Sequence, residues 1–210
     1  MENLVFWTEI VASVAFAASG AILGIKKHFD LFGIIILAVI ATVGGGFMRD
    51  LILGVHPPVM FSNPSYCLTA VITAALLCVP IVRKQLSRRI VYSTIMILLD
   101  SVGLAIFTVS GVAYAYELNA QNHFLMIFTG VITGVGGGLS RDVIAGEPPY
   151  IFCKHIYASA AIVGAVVCSY SADIIGLQYA MPISAAIILA IRIISAHFKI
   201  NMPCVKEEID

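Results

Sequence analysis

The chain has 210 residues, of which 60% are hydrophobic and only 11% are charged, and its mean hydropathy is +1.00. Soluble globular domains carry about 25% charged and about 45–50% apolar residues. The twelve basic and twelve acidic residues cancel, so no net charge would attract nucleic acid. The composition therefore excludes a soluble enzyme, a disulfide-rich secreted domain, a disordered protein and a nucleic-acid-binding protein, and it predicts a small polytopic membrane protein.

Seven apolar stretches follow one another along the chain, at 4–25, 31–55, 64–82, 91–116, 123–146, 155–172 and 174–196. A membrane-spanning helix needs about 20 apolar residues, and a backbone in lipid must satisfy its own hydrogen bonds. The first stretch has no basic leader, so we interpret it as a span and not as a cleaved signal peptide. We predict an all-α protein with seven transmembrane helices and no folded domain outside the membrane.

The basic residues fall on one side of the membrane when the amino terminus is placed outside. Two of the twelve, Arg49 and Arg141, lie within spans. The others are assigned to cytoplasmic loops or to the end of the last span: Lys26, Lys27, Arg83, Lys84, Arg88, Arg89, Lys154, Arg192, Lys199 and Lys206. Because positive loops stay in the cytoplasm, we expect the amino terminus outside and residues 199–210 as a cytoplasmic tail.

An internal repeat organises the chain. The segment VGGGFMRDLILGVHPP (43–58) matches VGGGLSRDVIAGEPP (135–149), and EIVASVAFAASG (9–20) aligns with DSVGLAIFTVSG (100–111). We therefore expect two three-helix units followed by a seventh helix. Since three is odd, the second unit must be inserted upside down, which is the architecture of many membrane transport proteins. The predicted boundaries are 4–82 for the first unit, 91–172 for the second and 174–198 for the seventh helix.

Three consecutive glycines interrupt the second and the fifth span. Glycine costs a helix about 1 kcal/mol relative to alanine, and it permits an unwound turn. We therefore expect both helices to be broken near the membrane midplane, with free backbone groups facing a cavity. The residues concerned are Gly44, Gly45, Gly46, Gly136, Gly137 and Gly138.

Charged residues inside the spans are the main candidates for function, because charges in a membrane usually face a partner or a water-filled cavity. They are Glu9, Arg49, Asp50, Asp100, Arg141 and Asp142. Each Arg–Asp pair could be a structural lock, or it could line or gate a permeation path. Four acids against two arginines favour cations over anions.

Hydroxyl and aromatic side chains flank these charges. Ser19, Ser110, Thr42 and Thr133 could hydrate an ion or could bond back to their own helix, and the sequence favours neither role. Phe16 and Phe107 could form an apolar constriction, although core packing is the preferred interpretation. The run RKQLSRR could bind anionic lipid through Arg83, Lys84, Arg88 and Arg89, or could serve as ordinary positive-inside anchoring.

The spans, the two inverted units and the GGGxxRD motif in both second helices resemble the bacterial branch of the trimeric intracellular cation (TRIC) channel family, over about residues 4–198. The resemblance implies a bacterial inner-membrane homotrimer with a pore in each protomer. It also implies that potassium or sodium ions permeate and that no cofactor is bound. Some bacterial relatives with the same paired domain are described as glycine transporters.

The leading hypothesis is thus a passive, potassium-permeable cation channel, and the alternative is a carrier for glycine or another small zwitterion. Nothing resembles a TVGYG filter, so weak discrimination between potassium and sodium is expected. An intramembrane hydrolase using Asp50 and Asp142 as a shared-proton pair is disfavoured, because each acid follows an arginine that stabilises its ionised form. We expect no enzymatic activity. A scaffold or sensor without transport is a further alternative.

Overall fold

The computed structural model describes residues 2–80, 89–118, 122–153 and 156–200, and the secondary structure in these ranges is helical. The helices are α1 (Glu2–Lys26), α2 (Leu31–Leu53), α3 (Val59–Ser62), α4 (Ser65–Cys78), α5 (Arg89–Leu118), α6 (His123–Ile144), α7 (Tyr150–Cys153), α8 (Ala158–Ile175) and α9 (Leu177–His197).

Six of these helices, α1, α2, α5, α6, α8 and α9, are long and apolar enough to cross a membrane. Helix α4 is apolar but has only 14 residues. At 1.5 Å per residue it reaches about 21 Å, which is less than the roughly 30 Å of a hydrocarbon core. The all-α membrane architecture is confirmed, whereas a seventh full-length span stays a prediction.

The second helix of each unit begins and ends in the same way. At the start, the Asp30 side chain accepts a hydrogen bond from the Gly33 amide at 2.7 Å, and Asn122 likewise caps α6. At the end, Gly54 and Gly146 adopt positive φ angles of 69° and 64°, a conformation that glycine tolerates without strain. A proline pair and a short helix, α3 or α7, follow each glycine.

The glycine triplets do not break these helices, which corrects our expectation. Helices α2 and α6 are helical throughout and touch at the triplets. A Cβ atom on Gly45 would lie 2.0 Å from the Thr133 carbonyl oxygen, and one on Gly137 would lie 2.2 Å from that of Ala41. Missing side chains let two intact backbones approach closely, so each helix keeps its own hydrogen bonds and the triplets provide a crossing.

The helices assemble around this crossing. Helix α1 packs against α2, α4 and α5, while α6 packs against α2, α5 and α8. Helix α9 packs against α5 and α8 and lies outside both three-helix units. Large apolar side chains such as Trp7, Phe32 and Phe124 remain exposed, as expected for a surface that faces lipid or another subunit.

Candidate functional site

Two groups of charged side chains lie at different depths along α1. We call the group of Glu9, Arg49, Asp50, Tyr66 and Ser110 the Glu9 cluster. We call the group of Ser19, Asp100, Arg141, Asp142 and Arg192 the Asp100 cluster. Glu9 and Ser19, both on α1, are about 15 Å apart at 1.5 Å per residue, so the clusters occupy opposite halves of the bundle.

In the Glu9 cluster, the Arg49 side chain folds onto the adjacent carboxylate. Its Nε and Nη2 atoms lie 2.9 and 2.8 Å from Asp50 Oδ1, and its Nη1 lies 3.9 Å from Glu9 Oε1. Glu9 also accepts hydrogen bonds from the Tyr66 hydroxyl, at 2.6 Å, and from the Ser110 hydroxyl. Each Glu9 oxygen thus has a hydroxyl donor, and Ser110 comes from the other unit.

The Asp100 cluster repeats this pattern from the second unit. Arg141 Nε and Nη2 lie 2.8 and 2.7 Å from Asp142 Oδ1. Its Nη1 donates to Asp100 Oδ1 at 2.9 Å and to Ser19 Oγ at 2.7 Å. In both clusters the arginine engages the neighbouring aspartate and the acid of its own unit, and a serine of the other unit takes part. Equivalent residues of the two units therefore form two equivalent clusters.

Both aspartates have a second contact that orders the chain after the helix. The other carboxylate oxygen of Asp50 accepts from the Val59 amide at 2.8 Å, and that of Asp142 accepts from the Tyr150 amide at 3.1 Å. These amides lie at the amino-terminal ends of α3 and α7, where a carboxylate is favourable. These contacts fit the interpretation of the Arg–Asp pairs as structural locks, and a part in a permeation path stays a prediction.

Arg192 belongs to the Asp100 cluster, which the sequence did not predict. It was assigned to the cytoplasmic end of the last span, an assignment that stays a prediction, and it is only 1% exposed. Its Nη2 lies 4.0 Å from Asp100 Oδ2, its Nε donates to Ser101 Oγ at 3.3 Å, and its guanidinium lies 4.6 Å from the centre of the Tyr157 ring. The available signal was its position within the apolar run of α9, more than one turn before the helix ends.

The two clusters differ in access and in charge. A cavity of about 90 Å³ borders the Glu9 cluster, and its lining includes Glu9, Arg49, Asp50, Tyr66, Phe107 and Tyr114. The Glu9 side chain is 12% exposed, whereas that of Asp100 is 0% exposed. With all acids ionised, the Glu9 cluster has two carboxylates and one guanidinium. The Asp100 cluster has two of each, so only the Glu9 cluster has a net negative charge.

The hydroxyl groups divide into two kinds. Thr42 donates to the Ala38 carbonyl at 2.9 Å, and Thr133 donates to the Thr129 carbonyl at 2.6 Å, so both bond back to their own helix. Ser110 donates to Glu9 of the other unit. Ser19 does both, since it donates to the Phe16 carbonyl of its own helix at 2.8 Å and accepts from Arg141 of the other unit at 2.7 Å. Their part in hydrating an ion stays a prediction.

Phe16 and Phe107 stack with their ring centres 5.5 Å apart. Phe16 is fully buried and lies between Glu9 and Ser19 on α1, while Phe107 lines the cavity. The two rings therefore pack in the core, as preferred, and they also lie between the two clusters.

The predicted lipid-binding residues Arg83, Lys84 and Arg88 lie outside the described residues, as do Lys154 and Lys206. Arg89 is the first residue of α5. Lipid binding at these positions stays a prediction.

Comparison with known proteins identifies the family. A family model described as "Glycine transporter" matches residues 6–81 and 97–173. The chain is 36% identical over 202 residues to the UPF0126 inner membrane protein YadS of Escherichia coli K12, and the match covers 95% of each chain.

The chain also resembles solved structures of TRIC channels over nearly its whole length. A protein from work on the structural basis for conductance through TRIC cation channels has a TM-score of 0.85 and 31% identity, with 97% of this chain and 98% of that chain covered. The TRIC trimeric intracellular cation channel orthologue from Rhodobacter sphaeroides has a TM-score of 0.85 and 27% identity, with 94% and 100% covered. This chain, an integral membrane protein, therefore belongs to the bacterial TRIC channel family, which the family model describes under the name glycine transporter.

Proposed function

We propose that the protein is a monovalent-cation channel, permeable to potassium, with a pore in each protomer at the interface of two inverted units. The observation that carries the proposal is the Glu9 cavity. It is lined by two carboxylates and one guanidinium, and it lies within a membrane protein whose structural relatives are TRIC cation channels. A net negative, partly hydrated cavity attracts cations and excludes anions.

The proposed path runs from the Glu9 cavity past Phe16 and Phe107 to the Asp100 cluster. The stacked rings and the buried Asp100 carboxylate support the proposal that this path is closed in the present conformation. Opening would require the rings to separate and water to reach Asp100. The α2–α6 crossing is a suitable pivot, because two glycine-lined backbones can rotate against each other without side chains to obstruct them.

The assembly and the membrane location extend the proposal. The R. sphaeroides relative is named a trimeric channel and YadS is named an inner membrane protein, which supports a homotrimer in the bacterial inner membrane. The family model matches the chain in two segments, 6–81 and 97–173, which supports units at 4–82 and 91–172 and a separate helix at 174–198. We propose that the amino terminus is outside and that residues 199–210 are cytoplasmic.

The test is to reconstitute the purified protein in planar bilayers under a potassium chloride gradient and to record the reversal potential. Discrete currents that reverse near the potassium equilibrium potential are expected. Replacing potassium by sodium should shift the reversal potential only slightly, since no ring of backbone carbonyls forms a potassium filter in the described residues. Currents that reverse near the chloride potential would contradict the proposal.

A carrier for glycine is the second candidate, because the Glu9 cavity presents both signs of charge. Arg49 Nη1 lies 3.9 Å from Glu9, and its guanidinium lies over the Tyr114 ring. It could hold a carboxylate, while the Glu9 carboxylate could hold an ammonium group. A cavity of about 90 Å³ suits a solute of a few heavy atoms. Saturable uptake of radiolabelled glycine into proteoliposomes, without single-channel currents, would favour the carrier.

A further inference from the structure

Helix α9 places one arginine, Arg192, inside the second unit. Arg192 is buried and lies beside Asp100, Ser101 and Tyr157. Helix α9 lies outside both repeated units and contacts α5 and α8, and among the described residues the Glu9 cluster has no arginine besides Arg49. The two clusters are otherwise built alike, so Arg192 accounts for the difference in their net charge.

Equivalent tyrosines lie beside the two acids, but only the second of them also contacts Arg192. Tyr66 and Tyr157 are 91 residues apart, the spacing of their partners Glu9 and Asp100. The Tyr66 hydroxyl donates to Glu9 Oε2 at 2.6 Å. The Tyr157 hydroxyl likewise lies close to Asp100 and Arg141, without a well-formed hydrogen bond, and its ring lies against the Arg192 guanidinium. Arg192 thus adds a positive charge beside an acid that a tyrosine hydroxyl also approaches, as Tyr66 approaches Glu9.

The contact between Arg192 and Asp100 is loose. The closest approach is 4.0 Å, which is too long for a hydrogen bond, and both Asp100 Oδ2 and Arg192 Nη1 are buried without a partner. Buried polar atoms almost always have a hydrogen-bond partner, so leaving these two atoms without a partner or water costs free energy. A small movement of α9 would admit water between the two groups and satisfy both.

We infer that Arg192 is a positioning residue that neutralises Asp100 and thereby closes this half of the cation path. This inference rests on the proposed channel function. With Arg192 in place, the Asp100 cluster is neutral and offers a cation no net attraction. Moving or removing Arg192 leaves two carboxylates and one guanidinium, the same charge as the Glu9 cluster, so that both halves of the path attract cations.

The experiment compares potassium flux into proteoliposomes for the wild-type protein and three variants. Arg192→Gln should raise the flux about tenfold and increase the cation-to-anion permeability ratio, because one buried positive charge is lost. Arg192→Lys keeps the charge and should stay close to wild type. Lys199→Gln removes an exposed charge near the end of the same helix and should also have no effect.

A double variant separates electrostatics from structural damage. Asp100→Asn together with Arg192→Gln restores a neutral cluster and should return the flux and the permeability ratio to wild-type values. A purely structural role for Arg192 predicts the opposite, since the second substitution would add damage. An unchanged or lower flux in Arg192→Gln, or a double variant that resembles Arg192→Gln, would overturn the inference.

A flux-independent readout keeps the inference testable if no protein conducts ions. The Ser101→Cys variant, in a background without the five native cysteines, should react with a membrane-impermeant thiol reagent about tenfold faster when it also carries Arg192→Gln. Equal rates would overturn the inference. Silent bilayers and liposomes together with faster labelling would contradict the channel function, while still showing that Arg192 keeps water away from Asp100.

Discussion

Single residues decide the charge balance inside this protein. Each repeated arginine is committed to its neighbouring aspartate, and the acids of the first helices, Glu9 and Asp100, differ in the groups that surround them. Glu9 accepts hydrogen bonds from hydroxyl groups and borders a cavity, whereas Asp100 lies beside the guanidinium groups of Arg141 and Arg192. We therefore expect the Glu9 carboxylate to determine how strongly the cavity attracts cations.

Glu9→Gln should lower single-channel potassium conductance several-fold and reduce the cation-to-anion permeability ratio, because the cavity loses its net negative charge. Reversal potentials in a potassium chloride gradient measure the effect. Tyr66→Phe is the matched control. It removes the 2.6 Å hydrogen bond to Glu9 but keeps the carboxylate, so selectivity should persist. Equal selectivity in Glu9→Gln and wild type would argue against a role for this carboxylate.

Arg141→Met should destabilise the protein more than Arg49→Met. Removing one member of a buried ion pair costs about 3–5 kcal/mol when the remaining charge cannot reach water. Arg141 is fully buried between two carboxylates, whereas Arg49 borders a cavity through which water can solvate Asp50. Unfolding of both variants in the same detergent measures the difference, and equal losses of stability would contradict it.

At the scale of elements, the α2–α6 crossing holds the two units together. Gly45 and Gly137 each face a backbone carbonyl of the other helix, and neither position has room for a methyl group. Gly46 is in the same triplet, but the nearest atom to its added Cβ would be Arg49 Nη2 at 3.9 Å. Adjacent glycines in one motif therefore differ in whether they can be replaced by a larger residue.

Gly45→Ala should force the helices apart and lower the unfolding free energy by at least about 1–3 kcal/mol, the usual cost of overpacking. Gly46→Ala should be neutral or slightly stabilising, because alanine favours a helix over glycine. Thermal unfolding of the two variants in detergent distinguishes these outcomes. A Gly46→Ala variant as unstable as Gly45→Ala would indicate that the triplet acts by backbone flexibility and not by close packing.

At the scale of the whole molecule, the proposed orientation can be tested by labelling. Asn63 lies between α3 and α4, near the same end of the bundle as Glu9, and Lys199 follows α9. In intact cells, a cysteine replacing Asn63 should react with a membrane-impermeant reagent. A cysteine replacing Lys199 should react only after permeabilisation. Both variants need a background without native cysteines, and the reverse pattern would overturn the proposed orientation.

The sequence by itself determined the membrane class, the helical content and the duplication. These properties depend on hydrophobicity summed over about 20 residues and on identities between segments, and neither requires knowledge of which helices touch. The sequence also identified the Arg–Asp pairs and the acids Glu9 and Asp100, since a charge in a span is costly wherever it lies.

Only the tertiary structure decided how glycine and Arg192 are used. A glycine triplet is compatible with an unwound turn or with a close crossing, and the choice depends on whether another backbone, such as that of Thr133, occupies the space. From sequence, an arginine near a helix end is interpreted as an anchor at the membrane interface, and only the buried acid beside Arg192 indicates another role. Asp100 is 92 residues away in the chain, so its proximity is created by the packing of α9 against α5, which no local pattern encodes.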